Sequence, residues 1–78
     1  MEKEVIVGSK KFIVKELLAL ELDSIDFNDK KEAIKKQVIL STGITENDYS
    51  ILTVKERLNI INAINEVNGF SDFQVPAK

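Results

Sequence analysis

The acid–base material of this sequence is a set of carboxylates. Asp23 and Asp26 stand three apart, and Glu46 and Asp48 fall within one turn. Two close carboxyl groups can divide the work of general acid and general base. Both pairs, however, sit where helices are expected to begin. There, side-chain oxygens cap free N–H groups, and negative charge meets the positive end of the helix dipole. The capping reading is therefore preferred. The chain has no histidine and no cysteine. It lacks the one side chain that titrates unaided near neutral pH, and it lacks the thiolate nucleophile and soft metal ligand. Its three glycines, Gly8, Gly43 and Gly69, are isolated, so there is no phosphate-cradling loop. The stretch Asp26-Phe27-Asn28-Asp29-Lys30 has acids but lacks the mid-loop glycine and terminal glutamate of a calcium loop. No catalytic residue, cofactor or metal is expected, and the chain does not read as an enzyme.

The lysines Lys30, Lys31, Lys35 and Lys36 pose the nucleic-acid question. Eleven Lys and Arg stand against thirteen Asp and Glu, a net charge of −2, whereas nucleic-acid binders carry a basic excess. Residues 37–52 have the outline of a helix-turn-helix. Its reading helix would begin Thr45-Glu46-Asn47-Asp48, which repels phosphate. A solvated lysine face is the favoured reading. The longest apolar runs, Val5–Val7, Leu17–Leu20 and Val38–Leu40, are far short of the ~20 residues that span a bilayer. The start, Met1-Glu2-Lys3-Glu4, leads into no apolar stretch long enough for a signal peptide, so a cytoplasmic protein is expected.

Few elements are available to position these groups. At 78 residues a single domain over 1–78 is expected, with a thin core and no disulfide or zinc to staple it. Val5-Ile6-Val7 and Phe12-Ile13-Val14 are β-branched and aromatic runs on either side of Gly8-Ser9-Lys10-Lys11, a hairpin signature over about 3–16. Pairing Val7 with Phe12 sets Glu4 opposite Lys15 and Lys3 opposite Glu16, and puts Val5, Val7, Phe12 and Val14 on one face. Three helix starts follow, marked by Asp29 with Glu32, Thr45 with Asp48, and Thr53 with Glu56. They predict helices over about 29–41, 45–51 and 54–68, the middle one short. In the first, Ala33, Ile34, Gln37, Val38 and Ser41 form the inward stripe. The short one buries Tyr49 or Leu52. In the last, Val54, Leu58, Ile61, Ile64 and Val67 recur at helical spacing, widened by Ile60 and Ala63. Gly43 and Gly69 are the stops. Residues 23–27 could add a turn, and 71–78 are expected to fray. The fold class is α+β, a hairpin packed on a small three-helix bundle.

Apolar residues exceed what so small a core absorbs. Leu17, Leu18, Ala19, Leu20 and Leu22 form a near-continuous run, and Phe70, Phe73 and Val75 follow the last helix. Phe70 can fold back over Gly69 onto the helix end. The leucine run and Phe73 either join the core or, with Val75, form a partner-binding or self-associating apolar patch. The candidate site is thus Leu17, Leu18, Leu20, Leu22, Phe70, Phe73 and Val75.

The segment Ser41-Thr42-Gly43-Ile44-Thr45-Glu46-Asn47-Asp48-Tyr49-Ser50-Ile51-Leu52-Thr53 resembles the tail assembly chaperones of contractile-tailed bacteriophages. In that family a helix ends in a small-residue-then-Gly turn. An apolar residue, a capped acidic short helix and a leucine come next, and then a last helix that ends near an aromatic residue, here Phe70 or Phe73. Glu4–Val7, Gly8–Lys11 and Phe12–Leu17 are similar to the family's strand, turn and strand, so the likeness extends over about residues 3 to 73. Where the family often has an Arg/Pro-containing segment, this chain has Lys15-Glu16-Leu17-Leu18-Ala19. The resemblance implies a non-enzymatic role in virion morphogenesis, with the tape-measure protein as partner, and a longer frameshifted form is common in the family. Two other classes remain: a small phage or bacterial regulator that inhibits a host protein, and a nucleic-acid-binding domain. Self-association through the same apolar patch is also open. A low-salt gel shift with duplex and single-stranded DNA is expected to show no retention. A shifted band would bring the lysine reading back.

Overall fold

The computed structural model describes residues 2–69. The elements run β1 (Glu2–Val7), β2 (Lys10–Lys15), α1 (Ala19–Asp23), α2 (Lys30–Thr42), α3 (Glu46–Ser50) and α4 (Val54–Asn68). This is the expected α+β arrangement, an antiparallel hairpin and then helices. A single helical turn, α1, precedes the three that the capping signals mark, a little earlier than the turn read over residues 23–27. The expectation for 71–78 lies outside the described residues.

The hairpin turns on two residues, Gly8 and Ser9. Gly8 takes φ +62° and Ser9 has no positive φ. A positive φ at the first loop residue alone is the mark of a type II′ turn, whose twist matches that of the strands it joins. The tight loop draws Lys10 and Lys11 into β2, and it corrects the register. Val5 stands opposite Phe12, Ile6 opposite Lys11, Val7 opposite Lys10, Glu4 opposite Ile13 and Lys3 opposite Val14. The expected Glu4–Lys15 and Lys3–Glu16 pairings are therefore not formed across the strands. The slip is two residues, and an even slip keeps every side chain on its face. Val5, Val7, Phe12 and Val14 do share the inner face, with Val5 and Val14 buried and Val7 and Phe12 packed against the core.

The longest helix, α4, lies against that face. Its buried residues are Glu56, Ile60, Ala63, Ile64 and Val67, one stripe at helical spacing. The sequence stripe headed by Val54 and Leu58 needs correction, because these two are 74% and 56% exposed. At 3.6 residues per turn they stand roughly 160–200° around the helix from Glu56. Ile61, on the same side, is half-buried. The side turned inward is the one on which Ile60, Ala63, Ile64 and Val67 meet the hairpin and α2, and Glu56 lies on that side, 3.4 Å from Lys10. Against α4 and β2 packs α2, through Ala33, Val38 and Ser41, with Ile34 and Gln37 half-buried. Tyr49 of α3 and the following Leu52 are both half-buried at the core's edge.

The helix ends follow the capping chemistry. Asp29 accepts from the Glu32 N–H, while Thr45 with Asp48 and Thr53 with Glu56 each exchange two bonds. Gly43 and Gly69 end their helices at φ +75° and +73°, in the left-handed region that a Cβ disfavours. Among the described residues, no helix is long and apolar enough to cross a membrane.

Ser41 stands out within this packing. Its side chain is buried and its Oγ has no hydrogen-bond partner among the described residues. The neighbouring Thr42 hydroxyl, by contrast, donates to the Val38 carbonyl at 2.7 Å. A buried unsatisfied hydroxyl costs about 1–3 kcal/mol. Ser41→Ala is accordingly expected to stabilise the fold by about 1 kcal/mol in urea denaturation. A loss of stability instead would mean that the hydroxyl is bonded in solution.

Candidate functional site

The leucine segment is held at both ends. Upstream, the Leu17 N–H donates to Asn68 Oδ1 at 2.8 Å, and Asn68 Nδ2 donates to the Ile64 carbonyl at 2.8 Å. The last turn of α4 thus grips the chain as it leaves β2. Downstream, Ile25 is buried, and its N–H donates to the Leu22 carbonyl. Between these anchors α1 forms its one turn. Glu21 organises it, since its carboxylate accepts the Leu18 N–H at 2.8 Å and lies 3.5 Å from the Lys15 ammonium. Ser24 closes the turn by donating its hydroxyl to the Glu21 carbonyl.

The expected binding leucines divide into two pairs. Leu17 and Leu22 are half-buried and secure the segment to the body. Leu18 and Leu20 are 66% and 82% exposed. Phe70, Phe73 and Val75 lie outside the described residues. The contact between Leu17 and Asn68 nevertheless brings the beginning of the leucine segment to the helix end that precedes Phe70 in the sequence. Other exposed apolar side chains did not enter the sequence-derived site. Ile6 and Ile13 lie on the outer face of the hairpin, where strand alternation already put them, and Phe27 is half exposed. Val54 and Leu58 escaped notice because they fit a helical stripe as well as the buried residues do.

The charged groups are mostly in pairs that tie elements together. Lys3 Nζ lies 2.7 Å from Glu66 Oε2 and Lys10 Nζ 3.4 Å from Glu56 Oε2, so one lysine near each end of the hairpin's inner face meets α4. Lys11 reaches Glu4 at 3.1 Å on the outer face. Lys35 lies 3.1 Å from both Glu32 and Glu46, joining α2 to the start of α3. Those two carboxylates, Glu46 before Glu32, raise the Lys35 pKa above its ordinary value. The lysine face of α2 is therefore partly neutralised, while Lys30, Lys31 and Lys36 stay exposed. Of the acid pairs, Asp48 is engaged in capping Thr45, and Glu46 in the Lys35 pair. Asp26 accepts from the Asn28 N–H within a local turn. Among the described residues no three acidic side chains gather into a metal-holding group.

Among the described residues Glu56 is the buried carboxylate. The Thr53 N–H donated to it holds its pKa below the ordinary glutamate value. Burial pushes the other way, and Lys10 adds to the lowering. Comparison of the chain with protein-family models, with curated proteins and with solved structures finds no match.

A carboxylate whose pKa is lowered by folding stabilises the native state above its unfolded pKa, and that stabilisation fades as pH falls through the folded value. The stability gap between the wild type and Glu56→Gln, read by urea denaturation, is therefore expected to be largest near neutral pH. It should shrink as pH drops below the ordinary glutamate value of 4.5. A gap that does not change with pH would show that the charge on Glu56 is not what the fold uses.

Proposed function

We propose that this chain is a tail assembly chaperone of a contractile-tailed bacteriophage, a non-enzymatic protein that binds the tape-measure protein while the tail is built. The observation that carries the reading is the pair Leu18 and Leu20, held exposed on a turn that is itself pinned at Leu17 and Ile25. Leucines on an ordered segment present a docking surface whose shape is set before binding, so little conformational freedom is lost on association. Burying a leucine contributes about 1.5–3 kcal/mol. Two such anchors suit an amphipathic helix laid along them by its apolar face. A tape-measure protein is a long, helical, aggregation-prone chain of that character. The hairpin, the Gly43 turn, the capped α3 and the closing α4 follow the order that the family resemblance calls for. Leu17 and Leu22 act as the footing of the surface, and Phe70, Phe73 and Val75 are assigned to the same role from the sequence alone.

The reading is tested by titrating amphipathic helical fragments of a tape-measure protein into the chain in a calorimeter. Leu18→Asp and Leu20→Asp change exposed side chains, and such changes alter stability by about 0.5 kcal/mol or less. Each is expected to weaken binding at least tenfold while circular dichroism stays native. Phe73→Asp tests the part that rests on sequence. Unchanged binding in all three would remove this surface from the proposal, and a single tight host partner in a pull-down would favour the regulator instead.

A further inference from the structure

A second surface, separate from the leucine segment, lies toward the opposite end of α4. Two hollows meet there at Tyr49 and Arg57. One, of about 330 Å³, runs along α2 past Lys31 and Ile34, and the other, of about 160 Å³, runs past Leu52 to Val54. Arg57 and Asn68 are eleven residues apart on one helix, about 16 Å at 1.5 Å per residue, which sets this groove well away from Leu17.

Its basic groups Lys31 and Arg57 differ from the paired lysines on the hairpin and α2. Lys3, Lys10, Lys11, Lys15 and Lys35 each have a glutamate within 3.5 Å. Glu32 and Lys35 also line the α2 side of the groove, and Lys35 engages both Glu32 and Glu46. Lys30, Lys31, Lys36, Lys55 and Arg57 have no carboxylate in ion-pair range among the described residues, and of these Lys31 and Arg57 line the groove. Arg57 is half-buried, and among the described residues its guanidinium donates only to the Tyr49 hydroxyl, at a long 3.4 Å. The first turns of α2 and α4 add Lys30 and Lys55, which likewise have no acid partner among the described residues. A planar guanidinium with unused donors suits bidentate carboxylate recognition. The groove's walls are apolar at Ile34, Tyr49, Leu52 and Val54, and Val54 is largely exposed.

We infer that the groove between α2 and the α3–α4 junction docks an acidic, apolar-anchored peptide segment of a protein partner. Its carboxylates pair with Arg57 and Lys31, and an apolar side chain lies against Tyr49 and Val54. The apolar walls at Ile34, Tyr49, Leu52 and Val54 give an apolar side chain a seat that a phosphate backbone does not use, which favours a peptide. The inference stands independently of the leucine surface, because it involves none of those residues.

The probe is a fluorescein-labelled amphipathic helical peptide with glutamates flanking a leucine stripe, read by anisotropy beside its lysine-for-glutamate counterpart. The acidic peptide is expected to bind, more weakly as salt rises, and the basic one not to bind. Lys31→Glu and Arg57→Gln should each weaken binding about tenfold with native circular dichroism. Lys36→Glu, the same charge change as Lys31→Glu made outside the groove, should stay within about twofold of wild type. The inference is overturned by equal binding of the two peptides, by equal losses at Lys31 and Lys36, or by unlabelled single-stranded DNA displacing the acidic peptide at lower concentration than unlabelled peptide does. It is likewise overturned if Arg57→Gln binds as wild type.

Discussion

The buried stripe of α4 is the constraint on which the other elements depend. A two-stranded hairpin is marginal by itself, and short helices are marginal in water. Here the inner hairpin face and α2 both close on α4, and Ile60, Ile64, Val14 and Val38 are excluded from solvent where they meet. Turning α4 to put Val54 and Leu58 inward would take Glu56 away from Lys10. It would also move Ile60 and Ala63 out of the hairpin's reach. Contact with the hairpin and α2 thus decides which side of that helix is the inside.

Charge follows the same geometry. Lys3 and Lys10 lie on the inner face of the hairpin, where long aliphatic stems can pass the apolar core while their ammonium groups remain half exposed. They end at Glu66 and Glu56, near opposite ends of α4. The Lys3–Glu66 pair is exposed on both sides and worth little by itself, whereas in the Lys10–Glu56 pair the carboxylate is buried. Their use lies in direction, since a hairpin slipped along α4 would separate both pairs together.

With the core so used, two kinds of surface remain. At the C-terminal end of α4, Leu18 and Leu20 stand on a pinned turn. At the N-terminal end, Arg57 and Lys31 border an apolar groove. Both sit where a small α+β body has spare apolar side chains and an ordered backbone to present them. Binding roles need that combination, and it is the basis of the chaperone reading and of the separate acidic-peptide groove.

Local chemistry was legible in the chain itself. Asp29, Thr45 and Thr53 are caps and Gly43 and Gly69 stops because the interactions they make reach only three or four residues along the sequence. The inner hairpin face was legible too, since alternation survives any even change of register. The register itself depended on whether Gly8-Ser9 alone makes the turn, and opposite charges at Glu4 and Lys15 pointed to the wrong pairing. Those charges are satisfied elsewhere, by Lys11 and Glu21. The exposed leucines were anticipated as a run, but their division into Leu17 and Leu22 as footing and Leu18 and Leu20 as surface required the contact with Asn68, which lies 51 positions from Leu17. The side of α4 that is buried, and the groove at Arg57, were decided only by tertiary structure. Helical periodicity offers more than one apolar side, and contact with another element selects among them.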